Sequence, residues 1–196
     1  MSFYFGTRNT TIDFANIVRM NQIHSGTVKY VTESDVGTVI PACDGIVTDR
    51  KNVALAVKTA DCVPLLMYTD GVIAAVHAGW RGTIQHIAVN AVKLMMDYGA
   101  DVNKIKIAVG PSICFNCYEV KDDFVQAVEA VIGKTEFVRD EHADIAGINI
   151  KLLTDFGVPR ENIEFSNICT CCNQNLYFSY RGSGGKPNCM YHVIEL

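Results

Sequence analysis

The stretch that most constrains this chain is Val63 to Val76. Two apolar runs, Val63 to Tyr68 and Val72 to Val76, flank Thr69-Asp70-Gly71. Asp-Gly between apolar runs is a strong short-range hairpin signal. A hairpin brings its two outer ends together. Cys62 precedes the first run and His77 follows the second, so the spacing predicts a thiol and an imidazole side by side.

Two chemistries suit such a pair. A cysteine beside a histidine can be a nucleophile with its base. The two can also ligate a metal ion, which then needs a third ligand and an open position. His24, in the polar break Asn21-Gln22-Ile23-His24-Ser25-Gly26, is the candidate third ligand. The plainer alternative makes Cys62 a small buried hydrophobe and His77 a hydrogen-bonded core residue.

The 196 residues amount to one domain, long enough to bury a sizeable core. The net charge is −4 and no Lys/Arg block occurs, which argues against a nucleic-acid partner. No run reaches the ~20 apolar residues of a membrane helix, and MSFYFGTRN does not resemble a signal peptide. A cytoplasmic protein is expected, with its eight cysteines reduced or ligating metal rather than paired in disulfides.

Short strands are expected at Phe3–Phe5, Thr27–Thr32, Ile46–Thr48, Val53–Val57, Ile105–Val109, Ile163–Ile168, Tyr177–Tyr180 and Tyr191–Ile194. Residues 1–23 are otherwise poorly patterned, and Ala42 to Gly45 reads as a turn, with Cys43 structural. Helical spacing runs from Ile84 to Tyr98, stopped by Gly99 and leaving His86 on the solvent face. Further helices are expected from Asp122 to Gly133 and from Ile148 to Phe156. Strands outnumber helices and come as hairpins as well as crossovers. The fold class expected is α+β: a single domain, residues 1–196, of mixed β-sheets flanked by helices.

The segments QIHSGTV, CDGIVTD, TADCVPLL, VHAGWRGT, GPSICFNCYEV and CTCCNQNLYFSYR resemble, in order, the multicopper-oxidase-like laccase-domain family, also described as polyphenol oxidases and zinc-dependent purine nucleoside phosphorylases. The resemblance runs from about Gln22 to the C-terminus. It implies a layered α/β sandwich and metal ligands at His24, Cys62 and His77, the same three residues that the spacing brings forward. Relatives have a longer region ahead of the Gln-Ile-His segment, so a shortened N-terminal region and a more open pocket are expected here.

The resemblance further implies phosphorolysis of adenosine, inosine, guanosine and methylthioadenosine, and deamination of adenosine. The partners would then be purine nucleosides and phosphate. Two histidines and a thiolate leave one position open on zinc, as catalytic sites do, and such a site supplies activated water for deamination. Arg81, four residues after His77 near the start of a helix, is the candidate phosphate clamp. The catalytic set is therefore Arg81, Cys62 and His77. Two other readings stand beside it. A cysteine hydrolase would use Cys62 and His77 on an amide such as a cell-wall precursor. A copper-dependent polyphenol oxidase would need more histidines than the five present.

Cys114-x-x-Cys117 and Cys169-x-Cys171-Cys172 are unlike each other and far apart, and are read as buried reduced thiols rather than a second zinc site. Gly182 stands where relatives have a second arginine. Arg181 and the glycines after it are read as a flexible hairpin loop.

Overall fold

The computed structural model describes residues 1–134, 136–186 and 188–196. In chain order the strands and helices are β1 (Ser2–Phe5), β2 (Ile17–Met20), β3 (Val28–Tyr30), β4 (Val39–Ile40), β5 (Gly45–Thr48), β6 (Ala54–Thr59), β7 (Val63–Tyr68), β8 (Ile73–Ala78), α1 (Trp80–Ile84) and α2 (Ile87–Asp97). They continue with β9 (Lys106–Val109), α3 (Asp122–Ile132), β10 (Val138–Arg139), β11 (His142–Ala143), α4 (Ile145–Phe156), β12 (Ile163–Phe165) and β13 (Met190–Glu195).

A six-stranded mixed sheet has the order β12-β9-β7-β8-β5-β3, and a five-stranded mixed sheet has the order β1-β13-β6-β2-β4. The β7–β8 hairpin is the middle of the first sheet. Its side chains alternate between two cores. Val63, Leu65, Met67, Ala74 and Val76 pack in one core with Ile87, Ala91 and Met95 of α2. Leu66, Ile73 and Ala75 pack in the other with Leu55 and Val57 of β6 and Val18 of β2. The layers are therefore helices, six-stranded sheet, five-stranded sheet. Burial on both faces explains why β7 is apolar at every position instead of alternating. Leu66 is fully buried between the sheets, and truncating it to alanine should cost about 2–5 kcal/mol.

This is the α+β arrangement of mixed sheets flanked by helices expected from the sequence, and it is a single domain. Several local readings need correction. His77 lies inside β8 rather than after it, paired with Pro64. The helix expected from Ile84 to Tyr98 is two helices, broken at Gln85–His86, with His86 exposed and left-handed at φ +59. Helix α4 begins at Ile145, three residues earlier than expected, because Asp144 caps it by accepting from Gly147 N–H at 2.8 Å. Tyr177–Tyr180 is a bend and irregular chain instead of a strand. Strand β2 escaped the sequence reading because it is a run of only four residues, Ile-Val-Arg-Met, too short to show a period. Among the described residues no helix is long and apolar enough to cross a membrane.

Candidate metal centre and adjoining cavity

The β7–β8 register pairs Val63 with Ala78 and Pro64 with His77. This sets Cys62, one residue ahead of β7, beside the end of β8. His24 arrives from the loop after β2. One ligand atom from each of His24, Cys62 and His77 lies within 4.8 Å of the others. The two imidazole rings meet edge to face at a centroid distance of 4.8 Å.

Asp44, fully buried at the start of β5, organises this cluster. Its carboxylate accepts the backbone N–H groups of Ile23 (3.1 Å), His24 (2.9 Å) and Ser25 (2.8 Å), and the Ser25 hydroxyl (2.8 Å). It also accepts from His77 Nδ1 at 2.8 Å. That bond keeps a proton on Nδ1 and reserves Nε2 of His77 as the ligating nitrogen, which gives up its own proton when an ion binds. Burial opposes the charge on Asp44, but the His77 and Ser25 hydrogen bonds outweigh it and hold the carboxyl down at about 2. The chain bends sharply to deliver its ligands. His24 is left-handed at φ +61 and Asp61 at φ +88, conformations that cost about 1–3 kcal/mol each for a residue bearing a side chain. A Cβ on Gly79 would lie 2.9 Å from His24 Cδ2 and 3.2 Å from Cys62 Sγ, so only glycine fits against the cluster there.

Burial alone would push the Cys62 thiol up. The imidazoles of His77 and His24 more than offset this and bring it down to about 6. For His77 burial is again the opposing influence, overcome by the Cys62 thiolate and Asp44, and it rises to about 9. The cluster is thus a thiolate made ready in a cationic setting, with donors suited to a borderline-soft ion such as zinc.

Asp61 ties this cluster to its surroundings. Its carboxylate accepts from the Thr170 hydroxyl at 2.6 Å and from the Arg181 N–H at 2.7 Å. Close by is a cavity of about 800 Å³ lined by Trp80, Arg81, Tyr118, Glu119, Phe124 and Arg181 among others. The Arg81 guanidinium lies over the Trp80 ring at 4.3 Å, and that ring packs on Phe124. Arg181 donates to the Glu119 carbonyl at 2.9 Å and lies over Tyr118 at 5.5 Å. Burial raises the Tyr118 hydroxyl, and the Cys62 charge raises it further.

The structure brings His24, Cys62 and His77 together and sets Arg81 in the wall of the cavity. Helix α1, which carries Arg81, is only five residues long, so Arg81 has no extended helix end behind it. The sequence reading missed Asp44, taken as a turn residue, although an acid ahead of a β-branched strand was a usable signal. It also set aside Arg181, which proves to be anchored beside the cavity rather than loose in a hairpin. The remaining histidines lie elsewhere: His86 is exposed, His142 packs near Phe115, and His192 is buried on β13.

A layered α+β domain that sets a histidine–thiolate cluster able to hold a metal beside a polar cavity has the build of an enzyme site. The chain belongs to the family described as multi-copper polyphenol oxidoreductase laccase, whose model matches residues 6–196. It is 33% identical over 189 residues to adenosine deaminase RL5 of an unknown prokaryotic organism, covering 88% of this chain and 72% of that protein. It is 34% identical over 200 residues to purine nucleoside phosphorylase YlmD of Bacillus subtilis, covering 94% and 72%. The crystal structure of YlmD from Geobacillus stearothermophilus superposes with a TM-score of 0.88 at 32% identity, covering 93% of this chain and 74% of that one.

Proposed function

We propose that this protein is a zinc-dependent purine nucleoside phosphorylase that also deaminates adenosine. The observation that carries this reading is the convergence of His24, Cys62 and His77 within 4.8 Å beside a cavity walled by two arginines and three aromatic rings. Relatives named purine nucleoside phosphorylase and adenosine deaminase support it.

His24, Cys62 and His77 would hold the ion, and Asp44 would keep His77 turned toward it. The bound ion supplies Lewis acidity and lowers the pKa of water. Trp80, Tyr118 and Phe124 offer flat apolar surface for a purine. Arg81 and Arg181 offer forked donors for phosphate. In phosphorolysis a phosphate oxygen bonds to the anomeric carbon, and the glycosidic C–N bond breaks with its electron pair leaving on the base. Holding phosphate and nucleoside together is the main contribution these side chains can make.

The test is incubation with adenosine or inosine, with and without phosphate, followed by chromatography. Free base and ribose 1-phosphate that need both phosphate and zinc are expected, with inosine from adenosine regardless of phosphate. A second reading rests on the lowered Cys62 thiol beside His77. That pair would also serve a cysteine hydrolase on an amide. A chelator separates the two, since it abolishes the first activity and spares the second. Multicopper oxidation is disfavoured, because His86, His142 and His192 all lie outside the cluster.

A further inference from the structure

The two cysteine pairs read from the sequence as unrelated are one cluster. Sγ atoms of Cys114, Cys117, Cys169 and Cys172 all lie within 4.8 Å of one another. Topology explains the meeting. Strands β9 and β12 pair in parallel, Phe165 opposite Val109, so the loops that follow them leave the same end of the sheet. The pairing continues past the strands: Ser112 N–H donates to Ile168 O, and Thr170 N–H to Ser112 O, each at 3.1 Å. Cys114 and Cys169, and likewise Cys117 and Cys172, are separated by the same 55 residues. Two Cys-x-x-Cys units therefore face each other in register. Cys171, lying within the second unit, stays out of the cluster.

We propose that Cys114, Cys117, Cys169 and Cys172 form a tetrathiolate zinc site, distinct from the His24–Cys62–His77 centre, that staples the loops after β9 and β12. Zinc–sulfur bonds of about 2.3 Å arranged tetrahedrally set their sulfurs about 3.8 Å apart. The Cys117–Cys172 separation is 3.5 Å and no pair exceeds 4.8 Å. A disulfide would need about 2.05 Å and would use only two of the four thiols. An iron–sulfur cluster interposes sulfides and spreads its thiolates wider than one ion does. The Cys169 sulfur already accepts two backbone N–H groups, from Cys114 at 3.3 Å and from Cys172 at 3.4 Å. Such bonds favour a thiolate and orient it. Four thiolates close the coordination shell, which marks a structural site. Each thiol gives up its proton on ligation, so binding strengthens as pH rises.

The staple bears on the cavity. Tyr118, in the cavity wall, follows Cys117 directly, and its N–H bonds the Cys114 carbonyl at 3.1 Å. Thr170, between Cys169 and Cys171, holds Asp61 beside Cys62. An ion here would fix one wall of the cavity and the approach to the ligand cluster.

The experiment is zinc per chain by mass spectrometry on full-length protein purified under reducing conditions. It compares the parent, Cys62→Ser, Cys171→Ser, Cys172→Ser and the double variant Cys117→Ser/Cys172→Ser. Cys62→Ser should keep one equivalent, the double variant should lose one, and Cys171→Ser should match the parent. Cys172 is exposed, so Cys172→Ser should stay folded and lose the same equivalent even if the double variant aggregates. Cobalt-loaded Cys62→Ser should show the intense visible bands and near-ultraviolet sulfur-to-cobalt absorption of a tetrathiolate site, a readout independent of activity. Cys62→Ser that binds neither zinc nor cobalt would overturn this site while leaving the proposed function untouched. Loss of zinc only in the Cys172 variants would uphold this site and sink the His24–Cys62–His77 assignment.

Discussion

Asp44 Oδ1 lies 2.8 Å from His77 Nδ1, and the same carboxylate accepts the N–H groups of Ile23, His24 and Ser25. One buried acid thus orients an imidazole on β8 and shapes the loop that brings in His24. Asp44→Asn keeps the size but can no longer hold both as a charged acceptor. Zinc affinity at the His24–Cys62–His77 centre should fall by about 10- to 100-fold. Competition with a chromophoric chelator measures it. Unchanged affinity would mean that Asp44 braces the fold and nothing more.

Cys62→Ser should remove the ion from that centre. A serine hydroxyl is a far poorer zinc donor than a thiolate already poised near pH 6. Phosphorolysis and deamination should both vanish, and added zinc should not restore them. A Cys62→Ser enzyme that retains nucleoside activity would contradict the assignment.

His192 allows a prediction about pH. It is fully buried, its Nε2 shares a hydrogen bond with Thr59 Oγ1 at 2.8 Å, and its Nδ1 has no partner among the described residues. Burial holds it down at about 3, against an ordinary 6.5. The folded state therefore binds this proton more weakly than the unfolded chain. Its stabilising contribution is complete above pH 6.5 and is lost as pH falls from 6.5 toward 3. The slope is about 1.4 kcal/mol per pH unit in that window. Urea unfolding of the parent and His192→Gln at pH 7 and pH 5 isolates it, since other groups cancel. The stability gap between them should shrink by about 2 kcal/mol. A gap independent of pH would show that His192 charges without penalty.

How much of this was legible in the sequence follows from the range of each interaction. The β7–β8 hairpin was readable because Asp70-Gly71 is local, and with it the approach of Cys62 to His77. The layered α+β class was readable from the mix of periodicities. Strand β2 was not, since only pairing with β6 and β4 makes a strand of Ile17–Met20. Asp44 looked like a turn residue because its partners lie 19 to 33 residues away. The four-thiol cluster was set aside in favour of separate buried thiols for the same reason: two loops 55 residues apart meet only because β9 and β12 are neighbours. Arg181 looked mobile beside its glycines, and only the anchors at Asp61 and Glu119 hold it at the cavity.

The last prediction separates the two arginines from the metal. Arg81 is exposed, rests on Trp80 and makes no ion pair among the described residues, so its guanidinium is available to an anion in the cavity. Arg181 is held by its backbone to Asp61, so truncating its side chain leaves that anchor intact. A charged hydrogen-bonded contact contributes roughly 1.5–3 kcal/mol. Arg81→Ala should therefore lower the phosphate-dependent rate by about one to two decades, read as a raised KM for phosphate, and Arg181→Ala should act in the same direction. Arg81→Lys should recover only part, because lysine keeps the charge and loses the fork. Deamination of adenosine uses water and should suffer less in every variant. Zinc content is measured alongside, since a shifted turn at Gly79 would disturb His77. Equal loss of both activities with zinc retained would mean that these arginines position the nucleoside, and the phosphate role would fall.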